Sequence, residues 1–355
     1  MKNRIFVDYG AIAENVRRVA EHSGKGIFAV VKNNAYNLGL AAVTRTLTGC
    51  GVNHFAVTLS EDALFIKERF PEAYVLQLNP ANGAEARLAR ERGIALSLGG
   101  GEWFREYADA LEGIDLHMEI NAGMNRFGFS DLREASEVVR SCRDRGLSLK
   151  GLYTHFALSE EADLSEHSAQ VDLFAAFREA LSPLCAFEYV HGENTAAVLL
   201  RDRRLSFCNF VRPGIMLFGY SSREPVEWLR PSLFVSAEVI DIRRLRRGER
   251  LGYGTSFAAE RDMKVATLPM GYGDGLMRAR AALPVYVNGS PCAVVGKILM
   301  SHTFIEAFDG MKIGDTAEIY GERVKIDALA SRGIATNAEQ MAALHIGRYA
   351  QAENS

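Results

Sequence analysis

The chain has 355 residues, 48% of them apolar, and a formal net charge of −3. That length suits two domains rather than one, and the near-neutral balance leaves no electrostatic footprint for nucleic acid or an anionic membrane. No apolar run approaches the roughly 20 residues that cross a bilayer. The N-terminus, Met-Lys-Asn-Arg-Ile-Phe-Val-Asp, has no apolar stretch behind its charges and does not read as a signal peptide. Cys50, Cys142, Cys185, Cys208 and Cys292 are scattered and include no Cys-x-x-Cys, which predicts reduced thiols in a cytoplasmic protein and no metal site.

The first helical pattern, Ala11–Ser23, precedes the apolar run Gly26–Val31. Leu40–Gly51 then leads to His54–Val57, Glu61–Phe70 to Ala73–Leu78, and Ala84–Arg92 to Ile94–Leu98. The strand series continues through Leu116–Ile120, Gly151–Thr154, Phe187–His191 and Phe210–Gly214, with helical patterns at Asp131–Arg145 and Asp163–Leu184. The helical segments carry apolar residues at i, i+3, i+4 spacing with charges between them. Such alternation predicts a parallel α/β fold, an N-terminal (β/α)8 TIM-like barrel. An open doubly wound sheet is the alternative, but no Gly-x-Gly-x-x-Gly follows the first strand.

After Tyr220-Ser221-Ser222 the period changes to two. Runs at Leu233–Ile242, Val265–Pro269, Leu283–Val287, Cys292–Met300, Thr303–Ala307 and Thr316–Ile319 are separated by turn signals such as Arg247-Gly248, Asn288-Gly289 and Asp309-Gly310. Residues 1–222 are therefore expected to form the barrel and 223–355 a mainly β domain with a short helical tail. The first short strand is a candidate to join the second domain.

In a parallel barrel, reactive groups gather at the C-terminal ends of strands. Five predicted strand ends carry polar residues: Lys32 and Tyr36, Asn121 to Arg126, Thr154-His155-Phe156, His191 to Thr195, and Val211 to Ile215. One such group alone is usually a cap or a satisfied core residue. Five in one chain point to a site. Lys32 weighs most, because a lysine leaving a buried strand must pair, coordinate or form an imine. The bland alternative is a surface lysine just beyond a strand.

Ala-Val-Val-Lys-Asn-Asn-Ala-Tyr around Lys32 closely resembles the pyridoxal-phosphate lysine motif of the alanine racemase family. Met-Asn-Arg-Phe-Gly-Phe, Thr-His-Phe-Ala, His-Gly-Glu-Asn-Thr-Ala, Val-Arg-Pro-Gly-Ile-Met-Leu-Phe-Gly, Gly-Tyr-Gly-Thr-Ser-Phe, Gly-Tyr-Gly-Asp-Gly and Gly-Lys-Ile-Leu-Met follow in the family's order, from Ile5 to Arg348. The resemblance implies a fold-type III enzyme that racemises a free amino acid, most simply alanine, as a homodimer with shared sites. It implies that Lys32 holds pyridoxal 5'-phosphate (PLP) and is one of two bases. Tyr253 of the partner subunit would be the other, because inversion needs proton removal on one face and return on the opposite face. Tyr36, Asn194, Thr195, Gly214 and Ile215 would hold the phosphate end, a hydroxyl and backbone N–H groups being suitable donors. Arg212 would face the pyridine nitrogen and leave it unprotonated, since arginine keeps its proton. His155 would bond Tyr253 and touch Arg212. Arg126 would reach the cofactor's phenolic oxygen and the substrate carboxylate, the backbone of Met300 from the neighbouring subunit would help bind that carboxylate, and Tyr272 would line the entry channel.

Three positions depart from the family pattern. Glu119 stands where many members carry a carbamylated lysine, and would supply negative charge to Arg126 directly; a solvated strand end is the alternative. Ser301 replaces the usual aspartate. Ile346 lies nearest to a position where many members place a phosphate-binding tyrosine. These changes leave room for serine or a longer side chain as substrate. A fold-type III decarboxylase shares the barrel and lysine, but Gly252-Tyr253-Gly254 speaks against it. A non-catalytic PLP-binding protein usually ends after the barrel, whereas this chain continues into the β domain.

Overall fold

A computed structural model of the chain describes residues 3–221, 225–254 and 257–346. The expected junction at 222/223, Thr255-Ser256 of one motif and the segment from Gly347 onward lie outside the described residues. The chain divides into two compact units. One comprises Val16–Ala35 and Gly39–Leu217, the other Met1–Asn15, Tyr36–Leu38 and Phe218–Ser355.

The strand β1 (Asn3–Val7) belongs to the second unit. In the first unit, β2 (Gly26–Val30), β3 (His54–Val57), β4 (Tyr74–Gln77), β5 (Ile94–Leu98), β6 (Asp115–Ile120), β7 (Ser148–Thr154), β8 (Tyr189–His191) and β9 (Phe210–Val211) close a barrel in chain order. All its ladders are parallel, and β2 pairs with β9 to close the circle. The expected eight-stranded barrel is therefore present. Strands covered on both faces need near-continuous apolar sequence, and β5, Ile-Ala-Leu-Ser-Leu, is buried at every position. The intervening helices start on side-chain caps where the sequence supplies them. Asn82 and Glu85 form a reciprocal capping box, and Asp131 accepts from the Glu134 N–H at 2.9 Å.

The barrel interior is unusually aromatic. Phe28 is fully buried, with the rings of His54, Tyr74, His117, Tyr189, His191 and Phe210 at centroid distances between 4.9 and 6.0 Å. Gly151 on β7 makes this possible: a Cβ there would lie 2.0 Å from His117 Nδ1.

The second unit is mainly β, as expected. Strands β1, β10 (Leu233–Glu238), β16 (Thr316–Tyr320), β13 (Val285–Val287) and β14 (Ser290–Cys292) make a five-stranded sheet in the order β1-β10-β16-β13-β14. A second sheet has the order β11 (Asp241–Leu245), β12 (Met263–Leu268), β15 (Thr303–Glu306). Asn288 and Gly289, both at positive φ, turn β13 into β14 as a primed turn requires. Short helices at Asp327–Ala330 and Asn337–Ala343 follow β16.

Two expected runs need correction. Leu233–Ile242 is not one strand: the chain passes from one sheet to the other through Val239 and Ile240, whose N–H groups reach Asp315 and Thr267 carbonyls. Cys292–Met300 is not a strand either. Gly296 at φ 70° breaks the extended run, and Val294 alone bridges to Ile305. Among the described residues, no helix is long and apolar enough to cross a membrane, and no cluster of side chains could hold a metal ion.

Candidate active site

Lys32 stands just past β2 at the head of a left-handed turn. Asn33, Asn34 and Ala35 have φ/ψ of 53/57°, 54/43° and 54/55°, and Tyr36 and Asn37 continue at positive φ. Each non-glycine residue there costs about 1–2 kcal/mol, so the turn must be held. In the barrel unit the Asn34 side chain accepts from Leu40 N–H at 2.8 Å, Ala35 N–H bonds Val31 O at 3.0 Å and Gly39 N–H bonds Asn34 O at 3.1 Å. Lys32 is half-buried, and burial first, then the charge of Arg126, lowers its pKa. An amine that gives up its proton more readily presents more of its free, nucleophilic form near neutral pH.

Arg212, at the end of β9, is 3% exposed. Its Nη1 donates to His191 Nδ1 at 2.7 Å and to His191 O at 2.9 Å. Its Nη2 donates to Thr154 O at 2.5 Å and faces His155 Nδ1 at 3.5 Å. Nε–H is the one donor left without a protein acceptor among the described residues. Burial, reinforced by Arg212, Arg126 and Lys32, pushes His155 down to about 3, so its ring is neutral. With Nδ1 facing an arginine that can only donate, the His155 proton sits on Nε2.

Glu119 lies on β6, 2% exposed. The solvated alternative is therefore excluded. It accepts from the Tyr153 hydroxyl at 2.8 Å, and Tyr153 in turn is 2.5 Å from Ser97 Oγ. Arg126, half-exposed, is 3.9 Å from the other carboxylate oxygen. Burial raises the Glu119 pKa, and Tyr153, Arg126 and Arg212 pull it back. Tyr153 also stacks on His191, with rings 4.9 Å apart and 10° from parallel, while the Arg212 guanidinium lies 5.1 Å from its ring centre.

The ends of β8 and β9 meet where a phosphate site is common in such barrels. Thr195 is 6% exposed, and the Gly214 N–H points at its hydroxyl oxygen across 3.4 Å; Ile215 follows at the start of a 3₁₀ turn. Asn194 spends its side chain on structure, accepting from Ala197 N–H and donating to Phe156 O. These bonds fix Asn194 at the start of the helix that Thr195 opens and commit one of its two amide N–H groups.

The remaining expected residues lie in the second unit. Tyr36 packs its ring 5.3 Å from Phe218, and burial pushes its hydroxyl up to about 12. Tyr253 is 83% exposed on a loop between Gly252 and Gly254, both at positive φ, closed by the Arg250–Ala258 bridge. Tyr272 and Met300 are brought together: Tyr272 N–H bonds Leu299 O at 2.9 Å and Gly273 N–H bonds Met300 O at 2.8 Å. Met300 is 60% exposed and Ser301 is exposed too. Ile346 is 3% exposed, and the Asn37 side chain caps the Leu344 carbonyl two residues before it.

Sequence reasoning missed Tyr153, His117, Ser97 and Tyr74. Their signal was a polar residue inside an otherwise apolar strand, which is more informative than a polar residue at a strand end. In β6, Asp-Leu-His-Met-Glu-Ile, His117 and Glu119 share one face at spacing two.

Family models described as alanine racemase, N-terminal domain, and alanine racemase, C-terminal domain, match residues 7–222 and 233–350. The chain is 31% identical over 321 residues to an alanine racemase of Staphylococcus epidermidis, covering 87% of this chain and 82% of that one. It is similar in structure to the biosynthetic alanine racemase from Pseudomonas aeruginosa, with TM-score 0.89, 26% identity and coverage of 99% and 98%. A crystal structure of alanine racemase from Bartonella henselae with covalently bound pyridoxal phosphate matches with TM-score 0.88 at 26% identity, covering 99% of each chain.

Proposed function

The chain belongs to the alanine racemase family, and from that premise we propose that it interconverts L- and D-alanine with PLP by a two-base mechanism. The observation that carries the proposal is the Lys32 amine, half-buried at the head of a strained turn, its pKa lowered by burial and then by the charge of Arg126.

The residues present fit PLP. Lys32 is an amine suited to condense with an aldehyde. Thr195 and the Gly214–Ile215 backbone offer a hydroxyl and N–H groups to a phosphate, and Tyr36 offers a second hydroxyl. Arg212 would offer its uncommitted Nε–H to a ring nitrogen, and being unable to release that proton it would leave such a nitrogen unprotonated. Bound there, PLP would supply an electron sink that acidifies the Cα–H of an amino acid. The weaker sink beside an arginine would favour return of the proton over transamination.

The chain's own groups do the rest. Arg126, steadied by Glu119, holds the substrate carboxylate, and the backbone of Met300 of the partner subunit assists it. Lys32 Nζ exchanges the proton on one face of Cα, and Tyr253 Oη, from the partner subunit of a homodimer, exchanges it on the other. A neutral His155 with its proton on Nε2 is the donor that a phenolate oxygen prefers, which supports its pairing with Tyr253. Tyr272 guards the entry.

Incubation with L-alanine in deuterated water tests the proposal. The expected result is deuterium at Cα with loss of optical activity. Retained configuration at alanine with racemisation of serine or a larger amino acid would shift the substrate, consistent with Ser301 and Ile346. Exchange with no racemisation of any amino acid would overturn the two-base reading.

A further inference from the structure

Arg212 is the first member of a hydrogen-bonded chain that the mechanism above does not use. His191 Nε2 is 3.0 Å from His117 Nδ1, and His117 Nε2 is 3.0 Å from the Tyr74 hydroxyl. The chain begins beyond the C-terminal end of β9 and finishes at Tyr74, the first residue of β4, so it runs the length of the barrel interior. His117 and His191 are fully buried. Gly151 has no side chain to obstruct His117, which makes the arrangement a built one.

The polarity of this chain is fixed by its first member. A guanidinium has donors only, so His191 Nδ1 must accept. A neutral His191 then carries its proton on Nε2 and donates to His117 Nδ1. A neutral His117 carries its proton on Nε2 and donates to the Tyr74 oxygen. Burial, with the Arg212 charge, holds both rings neutral. Such a chain cannot conduct a proton away, because its source does not release one. Aligned donors do polarise one another, and they put a lone pair against a buried cation whose four hydrogen-bond acceptors are all neutral.

We propose that His191 and His117, ending on Tyr74, form a one-way mount that fixes the Arg212 guanidinium and aims its free Nε–H into the site. His191 and His117 are positioning residues in single, defined tautomers. What the aimed N–H serves rests on the proposed racemase function; the mount itself does not.

Nitrogen-15 NMR of histidine-labelled protein as purified reads the mount directly, with assignments from His191→Asn and His117→Gln. The expected spectrum has His191 and His117 each with a bare Nδ1 and a protonated Nε2. A protonated Nδ1 on either ring, or an imidazolium, overturns the proposal. Kinetics supply the second arm. His191→Leu is expected to lower kcat about ten- to a hundredfold, the scale of one hydrogen bond to a charged group, with little change in KM. His191→Asn should recover much of the loss, since its Oδ1 can stand near the lost Nδ1. Asn no better than Leu overturns the mount. A protein with the expected tautomers that racemises no amino acid supports the mount and overturns the function, so the two fail separately.

Discussion

Glu119, Arg212 and Thr195 of the barrel unit are 2%, 3% and 6% exposed, whereas Tyr253 and Met300 of the β unit stand 83% and 60% exposed. The barrel residues are held by one another: Arg212 by His191 and Thr154, Glu119 by Tyr153, Thr195 beside Gly214. Their chemistry is set inside one unit, where low dielectric makes each contact count. Tyr253 rides on a glycine-flanked loop that gives it reach and little enclosure. The contrast separates a preorganised set of side chains from an exposed one, and on the proposed dimer the exposed set would acquire its environment on assembly.

The sharpest break of this contrast sets one base against the other. On the proposed mechanism Lys32→Ala removes both the cofactor's anchor and a base, and should lower racemisation by more than ~10⁴-fold. On the same mechanism Tyr253→Phe removes only a base and should cost about 10²- to 10⁴-fold. The two variants should differ in a second readout. Borohydride followed by peptide mass analysis should find the cofactor on Lys32 in Tyr253→Phe and on no peptide in Lys32→Ala. Cofactor retained covalently elsewhere in Lys32→Ala would break the assignment.

Glu119→Gln sharpens the barrel side. A hydrogen bond to a charged group is worth roughly 1.5–3 kcal/mol, so activity should fall about ten- to a hundredfold, less than for Arg126→Ala. Stability should move the other way. The folded pKa of Glu119 is raised, so the folded state binds its proton more tightly than the unfolded chain does. That contribution is present at low pH and is lost as pH rises from the unfolded value through the folded one. At neutral pH the ionised Glu119 therefore costs stability, and Glu119→Gln should melt no lower than wild type while turning over more slowly. Added bicarbonate should not change wild-type activity. A loss of stability with unchanged kinetics would make Glu119 a structural residue only.

The smallest effect concerns acid. His117 and His155 are pushed down to about 3, and His191 is lowered as well, burial being the main cause. Depressed pKa values mean that the folded barrel binds fewer protons than the unfolded chain. The stability they confer is complete above about pH 6.5 and is lost as pH falls toward 3, at ~1.4 kcal/mol per pH unit for each ring. Denaturant titrations between pH 7 and 5 should show a slope that His117→Gln reduces by about one such increment. An unchanged slope would mean that His117 titrates in the folded barrel as it does in the unfolded chain.

The barrel was legible because its strands are short apolar runs between amphipathic helices, and period alone separates those patterns. Lys32, Arg126, Arg212 and Thr195 were legible because strand ends gather chemistry and the motifs stand in family order. Tyr153 and His117 were not, because they sit inside strands whose apolar neighbours hide them, and only closure of the barrel brings β4, β6, β7 and β8 around a common axis. The left-handed turn after Lys32 was invisible for a different reason. Asparagine tolerates positive φ but does not demand it, and Ala35 and Tyr36 disfavour it. Leu233–Ile242 was misread because a strand that changes sheets keeps its alternation while the ladder partners change.

The claim on which the account turns is that one active site draws Lys32 and Tyr253 from different subunits. Inactive Lys32→Ala and inactive Tyr253→Phe chains, mixed in equal amounts with cofactor and allowed to exchange, test it. Half of the resulting dimers should be mixed, each with one intact site, so about a quarter of wild-type specific activity should return. Activity that stays at the level of the parents, with mixed dimers demonstrated by native mass spectrometry, would contradict it.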